Sequence, residues 1–165
     1  MITTSTFPTS SAPARPRLST ITVATLTSAA ALAALVALGS TTGHLLLVPP
    51  MAASMALIAG APALPLSQPR SVIGGQLISA GVGLLVGTVS HTLIAAAIAG
   101  ALALGAMLAA RTSHSPAAAT AVIGALTTSG QLSFLICAGL AAVILVAAGL
   151  ARSRLGGADY PTYWW

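Results

Sequence analysis

The chain has 165 residues, of which 56% are hydrophobic and only 4% are charged. Six of the charged residues are basic and one is acidic, so the formal net charge is +5. A soluble domain has about a quarter of its residues charged, and a disordered chain combines low hydrophobicity with high charge. Both classes are therefore excluded, and the composition predicts an integral membrane protein whose main partner is the lipid bilayer.

The six basic residues are all arginines, and they stand singly or in pairs at the edges of apolar segments. This pattern is typical of residues that set membrane topology, whereas nucleic-acid-binding proteins concentrate basic residues on one face. We therefore expect no nucleic-acid partner. The single Cys137 excludes an internal disulfide and a cysteine metal cluster, and we expect neither a metal nor a cofactor.

The N-terminal segment, residues 1–17, is rich in Ser, Thr and Pro and is predicted to be a flexible tail. The apolar stretch 18–39 follows directly after two arginines. A signal peptide is the alternative, but its apolar region has only about 7–15 residues. Residues 18–39 are long enough to cross a bilayer core of about 30 Å as a helix, so we favour a retained first span.

Three further stretches are predicted to be full spans: 71–90, 91–110 and 131–150. Two shorter apolar pieces, 45–61 and 112–127, are interrupted by prolines. A helix in each piece begins only at the proline, because the preceding residue is pushed away from helical angles. A dozen helical residues rise only about 18 Å, so each piece is predicted to be a broken span with an extended lead-in.

The order of these elements repeats. Pro50 and the four residues after it align with Pro116 and its four successors at an offset of 66 residues. The same offset relates the first span to the fourth and the third to the sixth. The predicted fold is therefore an all-α membrane protein of about six transmembrane segments, two of them broken, built as two inverted three-segment repeats. Transporters often place their substrate site between such repeats.

The arginines also indicate six crossings. Cytoplasmic loops of membrane proteins carry an excess of basic residues. With a cytoplasmic N-terminus, six crossings bring all six arginines to the cytoplasmic side: Arg15, Arg17, Arg70, Arg111, Arg152 and Arg154. If the short pieces were re-entrant, Arg70 and Arg111 would face outward. We expect a multi-pass protein of a cell membrane, a bacterial plasma membrane in the first instance, with both termini cytoplasmic.

Residues 151–165 form a C-terminal aromatic tail whose Tyr160, Tyr163, Trp164 and Trp165 are expected at the headgroup level.

The helices that begin at Pro50 and Pro116 would both start inside the membrane. A helix N-terminus carries unpaired N–H groups and about half a positive charge, so two such ends facing one cavity would bind an anion. Ser54, Ser115 and Thr120 would add hydroxyl donors. The alternative for each hydroxyl is a hydrogen bond to the preceding helical turn.

The acidic residue Asp159 lies beyond the last span, so none of the spans contains a carboxylate. This argues against a cation pump and against an enzyme, because most acid–base chemistry needs a positioned base and its partner. His114, two residues before Pro116, is the histidine expected to line the cavity, whereas His44 and His91 are expected at the outer boundary. Arg70 and Arg111 are membrane anchors by default, and alternatively they attract an anion at a cytoplasmic mouth.

Two segments carry a resemblance to a known family. The segment LSQPRSVIGGQLISA, residues 66–80, resembles the QPR-x-VIGGH-L-SA segment of HPP-family integral membrane proteins. The segment HSPAAATA, residues 114–121, resembles that family's HPP-AGATA motif, and residues 50–59 stand where the family has its G-A-S-A-V segment. Here Ser115 replaces the middle residue of the HPP motif and Gln76 replaces the histidine of GGH. Plant and cyanobacterial members are associated with nitrite transport, so the resemblance implies a small-anion transporter.

The resulting hypothesis is a transporter or channel for a small monovalent anion, with nitrite as a candidate, and not an enzyme. Its site would lie at the helix starts near the bilayer midplane and would contain Pro50, Ser54, Gln76, His114, Ser115, Pro116 and Thr120. The alternative is a non-transporting membrane subunit, sensor or assembly factor that binds another membrane protein. Because so small a bundle buries little around a central site, we expect a homo-oligomer under either reading.

Overall fold

The computed structural model describes residues 14–155 and 158–164, and over these residues it contains α-helices and no strand. The helices are α1 (Leu18–Thr42), α2 (Pro49–Gly60), α3 (Pro69–Gly87), α4 (Leu93–Ala109), α5 (Ser115–Leu126) and α6 (Gln131–Arg154). A short 3-10 turn, Pro65–Ser67, stands between α2 and α3. The predicted all-α class with six segments is therefore confirmed. Most of the predicted N-terminal tail, residues 1–13, lies outside the described residues.

Within the described residues, three helices are long and apolar enough to cross a bilayer, namely α1 with 25 residues, α3 with 19 and α6 with 24. The helices α2, α4 and α5 are apolar but shorter, with 12, 17 and 12 residues. Helices α2 and α5 have the same length, and α5 begins 66 residues after α2. This is the offset that the sequence predicts for the repeat.

The breaks before α2 and α5 have a local cause. Val48 is extended (φ −114°, ψ 156°) because Pro49 follows it, and a residue before proline avoids helical angles. His114 is also extended (φ −147°, ψ 101°), and α5 begins with Ser115 at the position just before Pro116. Proline is accepted in the first turn because that turn's N–H groups have no helical partner. Each short helix thus begins within the bundle rather than continuing from the helix before it.

The packing has the symmetry of two inverted copies. Helix α3 runs parallel to α5, with Gly83 against the backbone of Ala121. Helix α6 runs parallel to α2 in the same way, with Gly149 against Ile58. The repeat relates α1, α2 and α3 to α4, α5 and α6. By this relation the α1–α2 contact corresponds to the α4–α5 contact, and the α3–α4 contact corresponds to the α6–α1 contact. The pairs of helices that touch are therefore the pairs that an inverted repeat would bring together.

Polar contacts identify the two ends of the bundle. At one end, Arg70 Nη2 donates to the carbonyl of Ala110 at 3.1 Å, and Arg152 Nη1 donates to that of Ala59 at 2.6 Å. We call this the arginine end, and Arg111 and Arg154 also lie there. At the opposite end, the ring of His44 lies 3.0 Å from Ser133 Oγ. The helices alternate in direction between these ends, as six crossings would require.

The C-terminal segment packs against the bundle through Tyr160. This side chain is only 5% exposed, because its ring fills the space that Gly149 leaves open on α6. The Tyr160 amide donates to Ser153 Oγ at 3.2 Å, and the Thr162 amide donates to Gln68 Oε1 at 3.0 Å. The segment 158–164 therefore folds back over the arginine end. The headgroup level predicted for the aromatic residues stays a prediction. Tyr160 is buried against α6, Tyr163 and Trp164 are exposed, and Trp165 lies outside the described residues.

Candidate functional site

Four polar side chains from three helices meet in the centre of the bundle. Ser54 comes from α2, Gln76 from α3, Thr120 from α5, and His114 stands immediately before α5. All four side chains are completely buried. We call this set the central polar network. Burial of neutral polar groups is costly unless they are hydrogen-bonded, so their partners define what the network can do.

The network is continuous. Thr120 Oγ1 donates to Gln76 Oε1 at 2.6 Å, and Gln76 Nε2 donates to Ser54 Oγ at 3.0 Å. Ser54 Oγ lies 2.7 Å from His114 Nε2. The other ring nitrogen, His114 Nδ1, lies 2.7 Å from the carbonyl oxygen of Leu66. Each member is thus linked to the next from α5 to the α2–α3 connection.

The partners assign the direction of these hydrogen bonds. A carbonyl oxygen only accepts, so His114 Nδ1 carries a proton and donates to Leu66. In the neutral ring Nε2 then accepts, and the Ser54 hydroxyl is its donor. The Pro50 carbonyl, 2.8 Å from Ser54 Oγ, is a second acceptor for the same hydroxyl. With a proton added at His114 Nε2, the ring would donate to Ser54 Oγ, and the Ser54 hydroxyl would donate to the Pro50 carbonyl instead.

Glycine at position 75 allows His114 to reach the network. A Cβ added at Gly75 would lie 2.7 Å from His114 Cβ and 2.9 Å from the carbonyl oxygen of Thr112. Atoms are not found that close, so any side chain at this position on α3 would push the start of α5 away. Gly75, which directly precedes Gln76 in the sequence, therefore has a packing role beside the site.

The helix starts carry fewer free donors than the sequence suggested. Pro49, Pro50 and Pro116 have no N–H group. The Met51 amide donates to the carbonyl of Val48 at 2.8 Å, and the Ala117 amide donates to that of His114 at 3.0 Å. The polar character of the site therefore comes mainly from side chains, with the helix ends adding their dipoles.

The structure does not bring all the predicted site residues together. Pro50 is buried beside Ser54, but Ser115 is exposed and Pro116 is only half-buried at the start of α5. Arg70 and Arg111 lie at the arginine end, away from the network, and Arg111 is exposed with φ of 58°. The two arginines therefore remain candidates for a mouth rather than for the central site.

Sequence reasoning missed two groups: the Leu66 carbonyl, which contacts His114, and Ser79, which is buried on α3. The Leu66 carbonyl is a backbone group, which the residue type does not reveal. Ser79, one helical turn after Gln76 on α3, is completely buried, and its hydroxyl has no hydrogen-bond partner among the described residues. Residues three apart share a helix face, so the spacing to Gln76 was the signal for Ser79.

The network is suited to holding a polar guest rather than to bond-breaking chemistry. It contains hydroxyl, amide and imidazole donors and no carboxylate, and His114 is its one ionisable side chain. Both ring nitrogens of His114 already have partners. The described part of the chain brings no three His, Cys, Asp or Glu residues together in a way that could hold a metal ion.

The known proteins that the chain is similar to are membrane proteins. The family model for the HPP transmembrane region matches residues 13–161. Two proteins of Dictyostelium discoideum, both named as transmembrane proteins, are 35% and 34% identical to the chain over 69% and 72% of its length. The chain spans less than half of these relatives, 40% and 45% of their own length. No solved structure matches it significantly.

Proposed function

Because this chain belongs to the HPP family of transmembrane proteins, we propose that it is a transporter or channel for a small monovalent anion. The observation that carries the proposal is the central polar network at the meeting point of the two broken helices α2 and α5. The network joins the two inverted halves: Ser54 and Gln76 belong to the first, His114 and Thr120 to the second. Substrate sites of inverted-repeat transporters lie at this kind of interface.

The charge of the site favours an anion. The chain's acidic residue, Asp159, lies in the C-terminal segment beyond α6, so no carboxylate within the bundle repels a negative guest. The positive ends of the α2 and α5 dipoles face the interior of the bundle. Neutral donors and helix ends together can hold an anion without a buried cation. A small monovalent anion such as nitrite, nitrate or formate is the class that this arrangement fits, and nitrite is the candidate that the family resemblance supplies.

Binding would open contacts that are closed in this structure. The four side chains are paired with one another, so an anion would take the place of an internal acceptor, such as Gln76 Oε1 as partner of Thr120. The contacts that open are those between the halves. Movement of one half against the other would expose the network first to one end and then to the other, which is the alternating-access scheme.

Flux into liposomes containing the purified protein tests the proposal. Uptake of nitrite, nitrate or formate should exceed that of empty liposomes. The Thr120→Val substitution keeps the side-chain volume but removes a network hydroxyl, and it should lower the flux about tenfold, the effect of one hydrogen bond to a charged group. Thr127→Val is the matched control, because its hydroxyl bonds only to the preceding turn, at the Ile123 carbonyl.

Two outcomes count against the proposal in different ways. No flux of any small anion above empty liposomes would remove the transport function. Flux that is equal in the Thr120 and Thr127 variants would keep transport but remove the network as its site.

The second candidate is a non-transporting membrane subunit that binds another membrane protein. It is favoured by the complete internal pairing of the network, which is also what a purely structural polar core requires. Absent flux together with one stoichiometric partner retained in mild detergent would support it.

A further inference from the structure

The connection between α2 and α3, residues 61–68, supplies the backbone group that orients His114. The carbonyl of Leu66 in this connection accepts a hydrogen bond from His114 Nδ1 at 2.7 Å. A proline leaves this carbonyl available: Pro69, three residues after Leu66, has no N–H group and cannot continue the 3-10 turn by donating to it. Whatever holds the connection in place therefore also holds the imidazole.

Gln68, the first residue of the QPR segment, braces this connection from within. Its side chain is completely buried, and its Nε2 donates to the carbonyls of Pro62 at 2.8 Å and Leu64 at 3.0 Å. Both partners only accept, so both amide hydrogens are in use and the orientation of the carboxamide is fixed. The neighbouring Ser67 hydroxyl ties the same turn to the end of α2, at 2.7 Å from the Ala61 carbonyl.

The oxygen of the same carboxamide binds the C-terminal segment, residues 158–164. Gln68 Oε1 accepts a hydrogen bond from the Thr162 amide at 3.0 Å. The Tyr160 ring, which packs into the space beside Gly149 on α6, holds the segment in the position that allows this contact. The segment therefore joins α6, in the second half of the repeat, to the α2–α3 connection, in the first half.

These contacts link the C-terminal segment to the centre of the bundle. The path runs from the Thr162 amide through the Gln68 carboxamide to the turn that carries the Leu66 carbonyl, and from there to His114 and Ser54. We propose that Gln68 is a positioning residue through which docking of the C-terminal segment fixes the tautomer of His114. Because that tautomer decides which partner donates to Nε2, docking also sets the direction of hydrogen bonding in the central polar network.

Release of the segment would undo this arrangement step by step. Gln68 Oε1 would lose its donor, and an unpaired buried oxygen is unfavourable, so the carboxamide would turn toward water and leave the connection unbraced. Without the Leu66 carbonyl at Nδ1, the proton of the neutral His114 ring is no longer held on that nitrogen. The coupling is a property of the fold, and only its effect on transport rests on the proposed function.

NMR of the full chain with isotope-labelled histidine nitrogens tests the coupling, because protonated and unprotonated ring nitrogens have different chemical shifts. The chain contains three histidines, and the signals that disappear in His114→Gln identify the central one. In the wild type we expect a single His114 tautomer with its proton on Nδ1. The signals of His44 and His91 serve as internal controls, because both rings lie at the opposite end of the bundle, near Ser133 and the Ala125 carbonyl.

Gln68→Met keeps the length of the side chain and removes its donors and its acceptor. We expect this variant to lose the single-tautomer signal of His114 while the other two histidines keep their shifts. Gln131→Met is the matched control, because Gln131 is exposed at the start of α6 and its amide contacts the Thr128 carbonyl at 3.5 Å. It should keep the wild-type spectrum.

Substitutions at Tyr160 test the role of the C-terminal segment. Tyr160→Ala removes the ring that packs beside Gly149, so it should release the segment and cause the same loss at His114 as Gln68→Met. Tyr160→Phe keeps the ring and should restore the single tautomer. Tyr163→Ala changes an exposed side chain of the same segment and should leave the spectrum unchanged.

Three results would overturn the proposal. An unchanged His114 tautomer in Gln68→Met would remove the positioning role of Gln68. A change in Gln68→Met without a change in Tyr160→Ala would remove the link to the C-terminal segment. Shifts of all three histidines in either variant would mean that the whole bundle loosens and that no specific path connects the two sites. None of these measurements involves flux, so a protein that transports no anion would lose the proposed function and still pass or fail this test.

Discussion

His114 Nε2 lies 2.7 Å from Ser54 Oγ, and this contact ties the start of α5 to the second turn of α2. The two residues are 60 positions apart and belong to opposite halves of the inverted repeat. The contact on the other side of the ring, from Nδ1 to Leu66, also crosses between the halves. One imidazole therefore holds together the two units whose relative movement would expose the central polar network.

Removing this imidazole should destabilise the fold. The His114→Ala substitution leaves the Ser54 hydroxyl and the Leu66 carbonyl without their buried partner and creates a cavity, so the free energy of unfolding should fall by about 3 kcal/mol. The thermal midpoint in detergent measures this. His44→Ala is the control, because His44 is exposed, and its midpoint should change little. Equal midpoints of the two variants would contradict the central role of His114.

The hydrogen bond between Gln76 and Thr120 should produce energetic coupling between the two positions. In Gln76→Leu the Thr120 hydroxyl loses its acceptor, whereas in the double variant with Thr120→Val that hydroxyl is gone as well. The double variant should therefore be more stable than the sum of the single effects predicts, by about 1–2 kcal/mol. A double-mutant cycle from unfolding midpoints gives this value, and strict additivity would show that the two side chains do not interact.

Gly75 and Gly81 lie on the same helix and should respond to alanine in opposite ways. At Gly75 the new methyl group would collide with His114 Cβ and the Thr112 carbonyl, at 2.7 and 2.9 Å, so Gly75→Ala should destabilise the protein by about 1–3 kcal/mol. At Gly81 nothing lies within 4 Å, and alanine should stabilise the helix by about 0.5–1 kcal/mol. Opposite shifts of the thermal midpoint are the expected result. A decrease of equal size at both positions would contradict the packing described around His114.

The pH dependence of stability should report the burial of Tyr160. Burial raises the pKa of the Tyr160 phenol above its ordinary value of about 10. Below pH about 10 the phenol is neutral in both the folded and the unfolded chain, and its burial is fully favourable. Above that pH the unfolded chain ionises first, so this contribution to stability is lost as the pH rises.

Tyr160→Phe keeps the ring against Gly149 and removes the ionisable hydroxyl, which has no partner among the described residues. The variant should be at least as stable as the wild type at neutral pH and should lose less stability between pH about 9 and 11. Tyr163→Phe, at an exposed position, is the control and should keep the wild-type profile. If the two variants have the same pH profile, Tyr160 is not buried in the membrane-embedded protein.

The sequence contained enough information to find the helices and the members of the central polar network, but not the contacts among them. The prolines that follow Val48 and Ser115 forced two helices to start inside the bundle. This restriction of the backbone angles is local, so it does not depend on how the helices pack. Ser54 and Thr120 were recognisable because their hydroxyls stood in the second turns of those helices. The partner of His114 was not recognisable, since it depends on how α2 and α5 approach each other and on the carbonyl of Leu66.

Tyr160 shows which contact of the C-terminal segment the sequence could not predict. An aromatic tail after a last span is typical of an interfacial anchor, and composition alone favours that position. The burial of the Tyr160 ring depends on Gly149, which has no side chain and leaves space on the surface of α6. It also depends on Gln68, which accepts a hydrogen bond from the Thr162 amide. Such long-range complementarity has no signature in the local sequence.

Arg152 and Arg154 were both predicted to be topology determinants at the end of α6, and they should differ sharply when replaced. Arg152 is only 5% exposed, and its Nη1 donates to the Ala59 carbonyl in the last turn of α2, where a cation also meets the negative end of the helix dipole. Arg152→Leu should lower the free energy of unfolding by about 2 kcal/mol, because that carbonyl loses a charged donor. Arg154→Leu removes the same charge from an exposed side chain, and its unfolding midpoint in detergent should stay close to that of the wild type. A similar loss in both variants would mean that net charge at this end, rather than the Arg152–Ala59 contact, stabilises the junction of α2 with α6.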